Sequence, residues 1–331
     1  MDLVVVSDAW HPQVNGVVRT LDKLKTGLET RGWRVSMITP DKFTTLPCPT
    51  YPDIRLALAP GAKLARLMEA ALPASIHIAT EGPLGMAARA YCVKRRLPFT
   101  TAYHTRFPEY IHARTRFPLS VSYKFMRWFH RPSAGLMVAT PSLADELNGR
   151  GFPNIKRWTR GVDTDLFHPR DKGLICDPRP ISMYIGRVAA EKNIEAFLRL
   201  QLPGTKYVIG DGPQLPQLKR KYPEVKFTGW KMNGEFAALV AAADVMVFPS
   251  LTDTFGLVIL EAMASGVPVA AFNVTGPADV IGNSGAGAVN DDLGAAVMAA
   301  LKIPGERARQ HALKYSWDAC IDQFAANLVA V

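Results

Sequence analysis

In the stretch SLTDTFGLVILEAMASGVPVAA (250–271), Asp253 and Glu261 stand on either side of a Phe255-Gly256 turn. Glu261 sits among Leu257, Leu260 and Met263 of a helix-like run. A carboxylate in such company is costly to bury without a partner. The two acids therefore read either as satisfied structural carboxylates or as acceptors for the hydroxyls of a polar ligand. Upstream, IGRVAAEKNIEAF (185–197) places Arg187 just beyond a strand and Lys192 near the start of the next helix. A guanidinium fork and an ammonium point charge at a strand-to-helix turn suit a pyrophosphate, and solvated surface cations are the plainer alternative. His104, at the end of a strand in YHTRFPEY (103–110), is either a donor to a ligand hydroxyl or a core histidine satisfied by backbone. No Ser or Cys nucleophile pattern flanks it, which speaks against a triad. Gly16 follows Asn15 at the opening of the first helix, where backbone N–H groups can approach an anion. A capping turn explains that pair as well. The Asp-x-Asp of VDTDLF (162–167) fits turn and capping work better than a metal–phosphate site.

These residues need elements to hold them. LVVVS (3–7) reads as a buried strand, Val17, Val18, Leu21, Leu24 and Leu28 recur at helical spacing, and WRVSMIT follows Gly32 as a second strand. That βαβ unit implies a parallel sheet covered by helices. Further strands are expected at SIHIAT (75–80), PFTTAYH (98–104) and GLMVATP (135–141). The pattern restarts after FHPRDKGLICDPRP (167–180), a Pro- and charge-rich segment that reads as a linker. ISMYIG, KYVIGDG, VKFTGW, DVMVFPS and VPVAAF then form a second series. The expected fold is α/β: two doubly wound, Rossmann-like domains facing a central cleft, with the unusual residues beyond the carboxyl ends of the strands. The expected boundaries are 1–168, 169–314 and a C-terminal helix at 315–331 that packs back toward the first domain.

The 331-residue length suits two such domains, and 48% hydrophobic with 21% charged residues is the balance of a globular protein with sizeable cores. No apolar run approaches the ~20 residues needed to span a bilayer. MDLVVVSDAW opens on a strand with no basic or cleavage segment before it, so a cytoplasmic location is expected. Cys48, Cys92, Cys176 and Cys320 form no Cys-x-x-Cys pair, which argues against a zinc site or a disulfide framework. The formal net charge of +10 favours an anionic partner: nucleic acid, a phosphorylated small molecule or an anionic membrane.

Together these elements resemble the glycosyltransferase B fold, and specifically a retaining transferase of family 4. TDTFGLVILEAMASGVPVAA matches that family's acid-x₇-Glu signature, with Asp253 one methylene shorter than the common Glu. GRVAAEKN, GDGP (210–213), RGVDTDLF and YSWDACIDQF (315–324) add to the match. The resemblance implies that Glu261 binds the ribose hydroxyls of a nucleotide and that Arg187 and Lys192 hold the donor diphosphate. It places Gly16 near that diphosphate, Asp253 and the amides around Phe255, Gly256 and Leu257 toward the donor hexose, and His104 against the same sugar. The base, uracil or guanine, is expected near Gly229 and Trp230, read by backbone. Retention without a carboxylate nucleophile implies front-face substitution, in which the departing phosphate oxygen takes the acceptor proton. No cofactor or metal is expected beyond the UDP- or GDP-sugar.

TDTFG and HTRFPEYI look most like lipid-directed members, such as sulfoquinovosyl- and glucuronosyl-diacylglycerol synthases and GDP-mannose-dependent α-mannosyltransferases. The acceptor is thus expected to be a glycolipid or diacylglycerol on the inner face of the cytoplasmic membrane. RTRFPLSVSYKFMRWFHR (114–131) supports this, with Arg114, Arg116, Lys124, Arg127 and Arg131 and no acid. On a helix, Val121, Phe125 and Trp128 share one face beside a stripe of Lys124, Arg127 and Arg131, the arrangement of an interfacial helix. The competing expectation is that this apolar face is buried against the sheet. A soluble saccharide acceptor and a nucleotide-sugar 2-epimerase are the rival activities. Nucleic acid is not expected as a partner, since it calls for a basic face with exposed stacking aromatics.

Overall fold

The computed structural model describes every residue except Val14, Pro49 and Thr50, and for Tyr51, Pro52, Asp53 and Arg114 it describes the backbone alone. The proposed basic contribution of the Arg114 side chain thus lies outside the described residues. Two compact units are present: Met1–Arg160 with Trp317–Val331, and Gly161–Ser316.

The first unit is built on a six-stranded sheet. Its strands, in spatial order, are Arg34–Ile38, Asp2–Val6, Ser75–Ile78, Thr100–Ala102, Gly135–Val138 and Ile155–Arg157. Every neighbouring pair is parallel. Because side chains alternate across a strand, Leu3 and Val5 join one core while Val4 and Val6 join another. The first core contains Leu21, Leu24 and Leu28 of helix Gly16–Glu29 and Cys320, Ile321 and Phe324 of helix Trp317–Asn327. The second contains Leu64 and Met68 of helix Gly61–Ala71 and Leu84, Ala88 and Cys92 of helix Pro83–Arg95. Burial on both faces explains why LVVV is continuously apolar rather than alternating. An antiparallel ribbon, Thr45–Cys48 with Tyr51–Ala57, is an addition that the hydrophobic pattern did not announce.

The second unit repeats the plan, in the order Lys226–Gly229, Thr205–Ile209, Ile181–Ile185, Val245–Phe248, Val269–Phe272 and Gly287–Asn290. In chain order that is 3-2-1-4-5-6, the order of dinucleotide-binding sheets. Its strand order reverses between Ile181–Ile185 and Val245–Phe248, which are directly paired.

The segment 167–180, expected as a linker, is part of the second unit, and the division falls between Arg160 and Gly161 rather than at 168/169. The reason is packing. The Phe167 ring meets Phe236 edge-on at 5.7 Å, and the Arg309 guanidinium donates to the carbonyls of Phe167 and Thr164. Lys172, Arg179 and the Ile181 amide all converge on the Asp244 carboxylate, which ties the Pro-rich stretch to the N-terminal ends of the two central strands of its own sheet.

Candidate active site

Ligands of doubly wound sheets bind outside the carboxyl ends of the strands, where the strand order reverses. In the second unit that point lies between the loops leaving Ile185 and Phe248. Both carry residues singled out by type and spacing. Arg187 follows the first strand, and its carbonyl accepts the Tyr184 hydroxyl at 2.7 Å. Lys192 closes a short 3₁₀ turn, Ala190–Lys192. Its ammonium donates to Asp253 Oδ1 at 2.6 Å, and next to it the Asn193 amide donates to the Pro249 carbonyl at 3.1 Å. The two loops are therefore joined twice, once by charge and once by a neutral hydrogen bond.

Helix Leu257–Ala264 begins immediately beyond the second loop. Its N-cap is Gly256, in the left-handed region at φ 83°, and no side chain caps it. An uncapped helix N-terminus presents amide donors suited to an anion. Phe255 is buried and packs edge-on against Tyr315, which anchors the turn. Glu261 lies one turn into the helix and is buried, 3% exposed.

Two glycines that the residue-level reading did not assign shape the other wall. Gly210 sits at φ 144°, and a Cβ there would lie 1.9 Å from the Gly186 carbonyl oxygen. At Gly212 a Cβ would lie 2.4 Å from the carbonyl oxygen of Val188. Backbone thus packs directly on backbone: the Gly186 amide donates to Ile209, and the Val188 amide to Asp211. The GDGP string is the sequence signal for this, since glycine clusters mark close backbone approach. Gly229 is linked to the same wall, its carbonyl accepting the Gly210 amide at 3.0 Å. Trp230, just after it, is exposed at the surface. Arg187, Lys192, Asp253, Gly256, Leu257 and Glu261 thus occupy the switch point itself, while Gly229 and Trp230 stand at the end of the outermost strand.

Of the remaining sequence-derived residues, all but the Asp-x-Asp pair belong to the first unit. Gly16 is the first residue of its helix, and Asn15 caps that helix, accepting the amides of Val17 and Val18 at 3.0 Å each. His104 follows strand Thr100–Ala102, and its Nδ1 lies 3.1 Å from Arg160 NH2. A guanidinium can only donate, so Nδ1 accepts and the neutral ring carries its proton on Nε2. Burial, reinforced by Arg160 and then His77, holds His104 well below the ordinary histidine range. Arg160 was quoted within a motif but given no role; here it sets the tautomer of His104. It also donates to the Trp158 and Thr159 carbonyls, with its guanidinium 4.3 Å from the Trp158 ring centre. Asp163 of the Asp-x-Asp pair accepts the Leu166 amide at 3.0 Å, a turn contact.

Helix Leu119–His130 turns Ser122, Tyr123, Met126, Phe129 and His130 inward. Val121, Phe125 and Trp128 are exposed at 49%, 42% and 47%, so burial of that face against the sheet does not occur. Lys124 and Arg131 are exposed beside them. Arg127 is half-buried and donates to the Arg150 carbonyl, while Trp128 stacks under Arg89 at 3.8 Å.

The fold is that of a glycosyltransferase, and comparison with known proteins agrees. The sequence model for "Glycosyltransferase Family 4" matches residues 14–166, and that for "Glycosyl transferases group 1" matches residues 179–303. The chain is 30% identical to the sulfoquinovosyl transferase of Arabidopsis thaliana, over 72% of this chain and 50% of that protein. It therefore spans half the length of that relative. It is 27% identical to a GDP-mannose-dependent α-mannosyltransferase of Mycobacterium tuberculosis, over 84% of this chain and 81% of the relative. The solved sucrose-phosphate synthase of Thermosynechococcus elongatus superimposes with a TM-score of 0.76, covering 98% of this chain and 97% of that one at 21% identity. The chain belongs to the family 4 glycosyltransferases and has the glycosyltransferase B fold. Among the described residues, no helix is long and apolar enough to cross a membrane.

Proposed function

We propose that this glycosyltransferase moves a hexosyl group, with retention of configuration, from a UDP- or GDP-sugar to a hydroxyl of a glycolipid or diacylglycerol at the inner membrane face. The observation that carries the lipid reading is helix Leu119–His130. Its apolar residues Val121, Phe125 and Trp128 stand in solvent beside Lys124 and Arg131, a pattern suited to an anionic lipid surface.

In this reading the donor lies at the switch point of the second unit. Its diphosphate meets Arg187, Lys192 and the amides that open helix Leu257–Ala264, and its ribose meets Glu261. The base lies along Gly229 and Trp230. As the bond to the leaving phosphate breaks, negative charge grows on the diphosphate, and fixed cations and amide dipoles stabilise it without reorganising. No metal is required for that task. Asp253 then has two partners, Lys192 and a hydroxyl of the hexose. From the family resemblance the reading also takes a hydrogen bond from His104, neutral with its proton on Nε2, to the sugar, and an approach of Gly16 to the phosphates, although Asn15 already holds the Val17 and Val18 amides of that helix. The leaving phosphate oxygen takes the acceptor proton.

The test is a screen of UDP- and GDP-sugars for nucleotide diphosphate release, with and without anionic vesicles containing diacylglycerol or a glycolipid. Acceptor-dependent release, with an α-linked product from an α-linked donor by NMR, is the expected result. Release only with soluble saccharides would replace the lipid acceptor. Conversion of the nucleotide sugar alone into its epimer would replace transfer itself.

A further inference from the structure

A concavity lies within the first unit. It has a volume of about 410 Å³, within the ~300–1,000 Å³ of small-molecule sites. Its walls are Phe107 and Ile111 of helix Phe107–Thr115 and Val121 and Phe125 of helix Leu119–His130. Among the described residues, the one charged side chain lining it is that of Glu81, next to Gly82. Those two follow strand Ser75–Ile78, so the polar end of the cavity is at the ligand-binding edge of the sheet, beside the reversal in strand order. The opposite end opens among side chains that are 39–49% exposed on the same helix faces as the basic stripe.

The chemistry of the two ends differs. Glu81 is buried, and its Oε1 lies 3.2 Å from His130 Nε2, whose Nδ1 meets the Thr101 hydroxyl at 3.0 Å. The two atoms are close but make no hydrogen bond, so the buried Glu81 Oε1 keeps its accepting capacity for a ligand donor. Among the described lining residues one further side chain is polar, Ser122, whose hydroxyl is buried with no hydrogen-bond partner; Phe107, Ile111, Val121 and Phe125 are wholly apolar. A fitting ligand therefore has a hydroxyl at one end and hydrocarbon along its length, with the hydrocarbon leading to the exposed aromatic face. A free sugar or a nucleotide would leave its hydroxyls unpaired against Phe107, Ile111, Val121 and Phe125, at a cost for each.

We infer that this cavity is a glyceride-binding subsite, in which Glu81 and Gly82 receive the free hydroxyl end of a diacylglycerol-type lipid and the four apolar side chains cover an acyl chain. The inference rests on the lipid-acceptor reading above and assigns that acceptor a place. It also gives the exposed aromatic face two tasks, seating the protein on the lipid surface and guiding one lipid out of it.

The experiment uses the full chain and 1,2-dihexanoylglycerol, monomeric at the concentrations used, titrated calorimetrically in the absence of vesicles. The expected result is saturable 1:1 binding. Ile111→Trp, which fills the cavity, and Val121→Asp, which charges its wall, should each weaken it at least tenfold while leaving nucleotide diphosphate binding unchanged. Both positions are exposed at 41% and 49%, so neither variant disturbs the core. The analogue in which hydrogen replaces the free hydroxyl should also bind at least tenfold more weakly, because a site built around a hydroxyl rejects the ligand that lacks it. Absence of binding, or equal binding by both variants, overturns the subsite and leaves glycosyl transfer untouched. Intact glyceride binding in a protein that transfers no sugar to any lipid supports the subsite and overturns the activity.

Discussion

The Lys192 ammonium and the Asp253 carboxylate, 61 positions apart, meet at 2.6 Å. One was singled out as a phosphate ligand and the other as a sugar ligand, and the fold makes them a single unit. Both side chains are mostly buried, at 22% and 16% exposure, so the pair is screened less than a surface ion pair. A carboxylate held this way has a fixed orientation before any ligand arrives, and a cation held this way does not collapse onto solvent.

Removing either end of the donor site should abolish most activity. Lys192→Ala and Glu261→Ala are each expected to cost about 2–5 kcal/mol of transition-state stabilisation, several decades in kcat/KM. Far-UV circular dichroism should stay native. Near-native turnover in both variants would show that the donor does not sit there.

Lengthening Asp253 separates its two tasks. Asp253→Glu keeps the charge that pairs with Lys192 but moves the oxygens by one methylene. Nucleotide diphosphate affinity should stay within about threefold, well under the 1.4 kcal/mol that a tenfold change represents. Turnover or hexose preference should change. Collapse of nucleotide diphosphate affinity would instead make Asp253 a residue of the base or phosphate site.

The glycine wall yields a stability prediction. Gly210→Ala would place a Cβ 1.9 Å from the Gly186 carbonyl oxygen, at a φ of 144° that side chains rarely adopt. A loss of about 2 kcal/mol or more is expected, with weakened donor binding. Gly234, where a Cβ meets nothing within 4 Å, is the control, and Gly234→Ala should be neutral or slightly stabilising. Thermal unfolding distinguishes the two.

Acid should weaken the first unit through a histidine that folding keeps neutral. Burial, with Arg160 adding to it, lowers the His77 pKa from 6.5 to about 3. Between those values the unfolded chain binds a proton that the folded chain refuses, so stability falls as pH falls through that window. The loss for this one group is about 2 kcal/mol between pH 7.5 and pH 5. Denaturant titrations at the two pH values should show it, and His77→Gln should remove about that much of the pH dependence. An unchanged dependence in the variant would mean that His77 takes up its proton in the folded state.

Membrane docking is checked by vesicle flotation. With about 1 kcal/mol contributed by each cation near an anionic surface, reversing Lys124, Arg127 and Arg131 to Glu should lower the vesicle-bound fraction more than tenfold. Binding should require anionic lipid and weaken with salt. A protein that stays in solution beside anionic vesicles at low salt would point to a soluble acceptor.

The sequence by itself determined the repeated βα architecture. Strand Asp2–Val6 is continuously apolar from Leu3 on because both faces are covered, strand Ile181–Ile185 is apolar but for Ser182, and helix Gly16–Glu29 carries its leucines at the spacing that one buried stripe requires. It also placed Arg187 just beyond a strand, Lys192 near the next helix start, Asp253 before a Phe-Gly turn and Glu261 in the helix after it, since local chemistry marks those turns: a charged residue after an apolar run, or a glycine before a helix. Two of the four outermost strands, Ile155–Arg157 and Gly287–Asn290, were not legible, because edge strands are short and need not be apolar on both faces. The boundary near 160 was hidden for a similar reason. Proline and charge marked 167–180 as a linker, but Asp244 and Phe236, far along the chain, hold that stretch in place.

Tertiary structure alone decided the relationships between distant residues. Periodicity assigns Val121, Phe125 and Trp128 to one helix face, yet whether that face meets the sheet or solvent depends on how the helix is rotated in its packing. The turns of Ser122, Met126 and Phe129 inward settle that rotation. Likewise, nothing local to His104 reveals Arg160, and nothing local to Lys192 reveals Asp253. Periodicity is carried by neighbours in the chain, whereas tautomer, pairing and exposure are set by groups that only the folded backbone brings within a few ångströms.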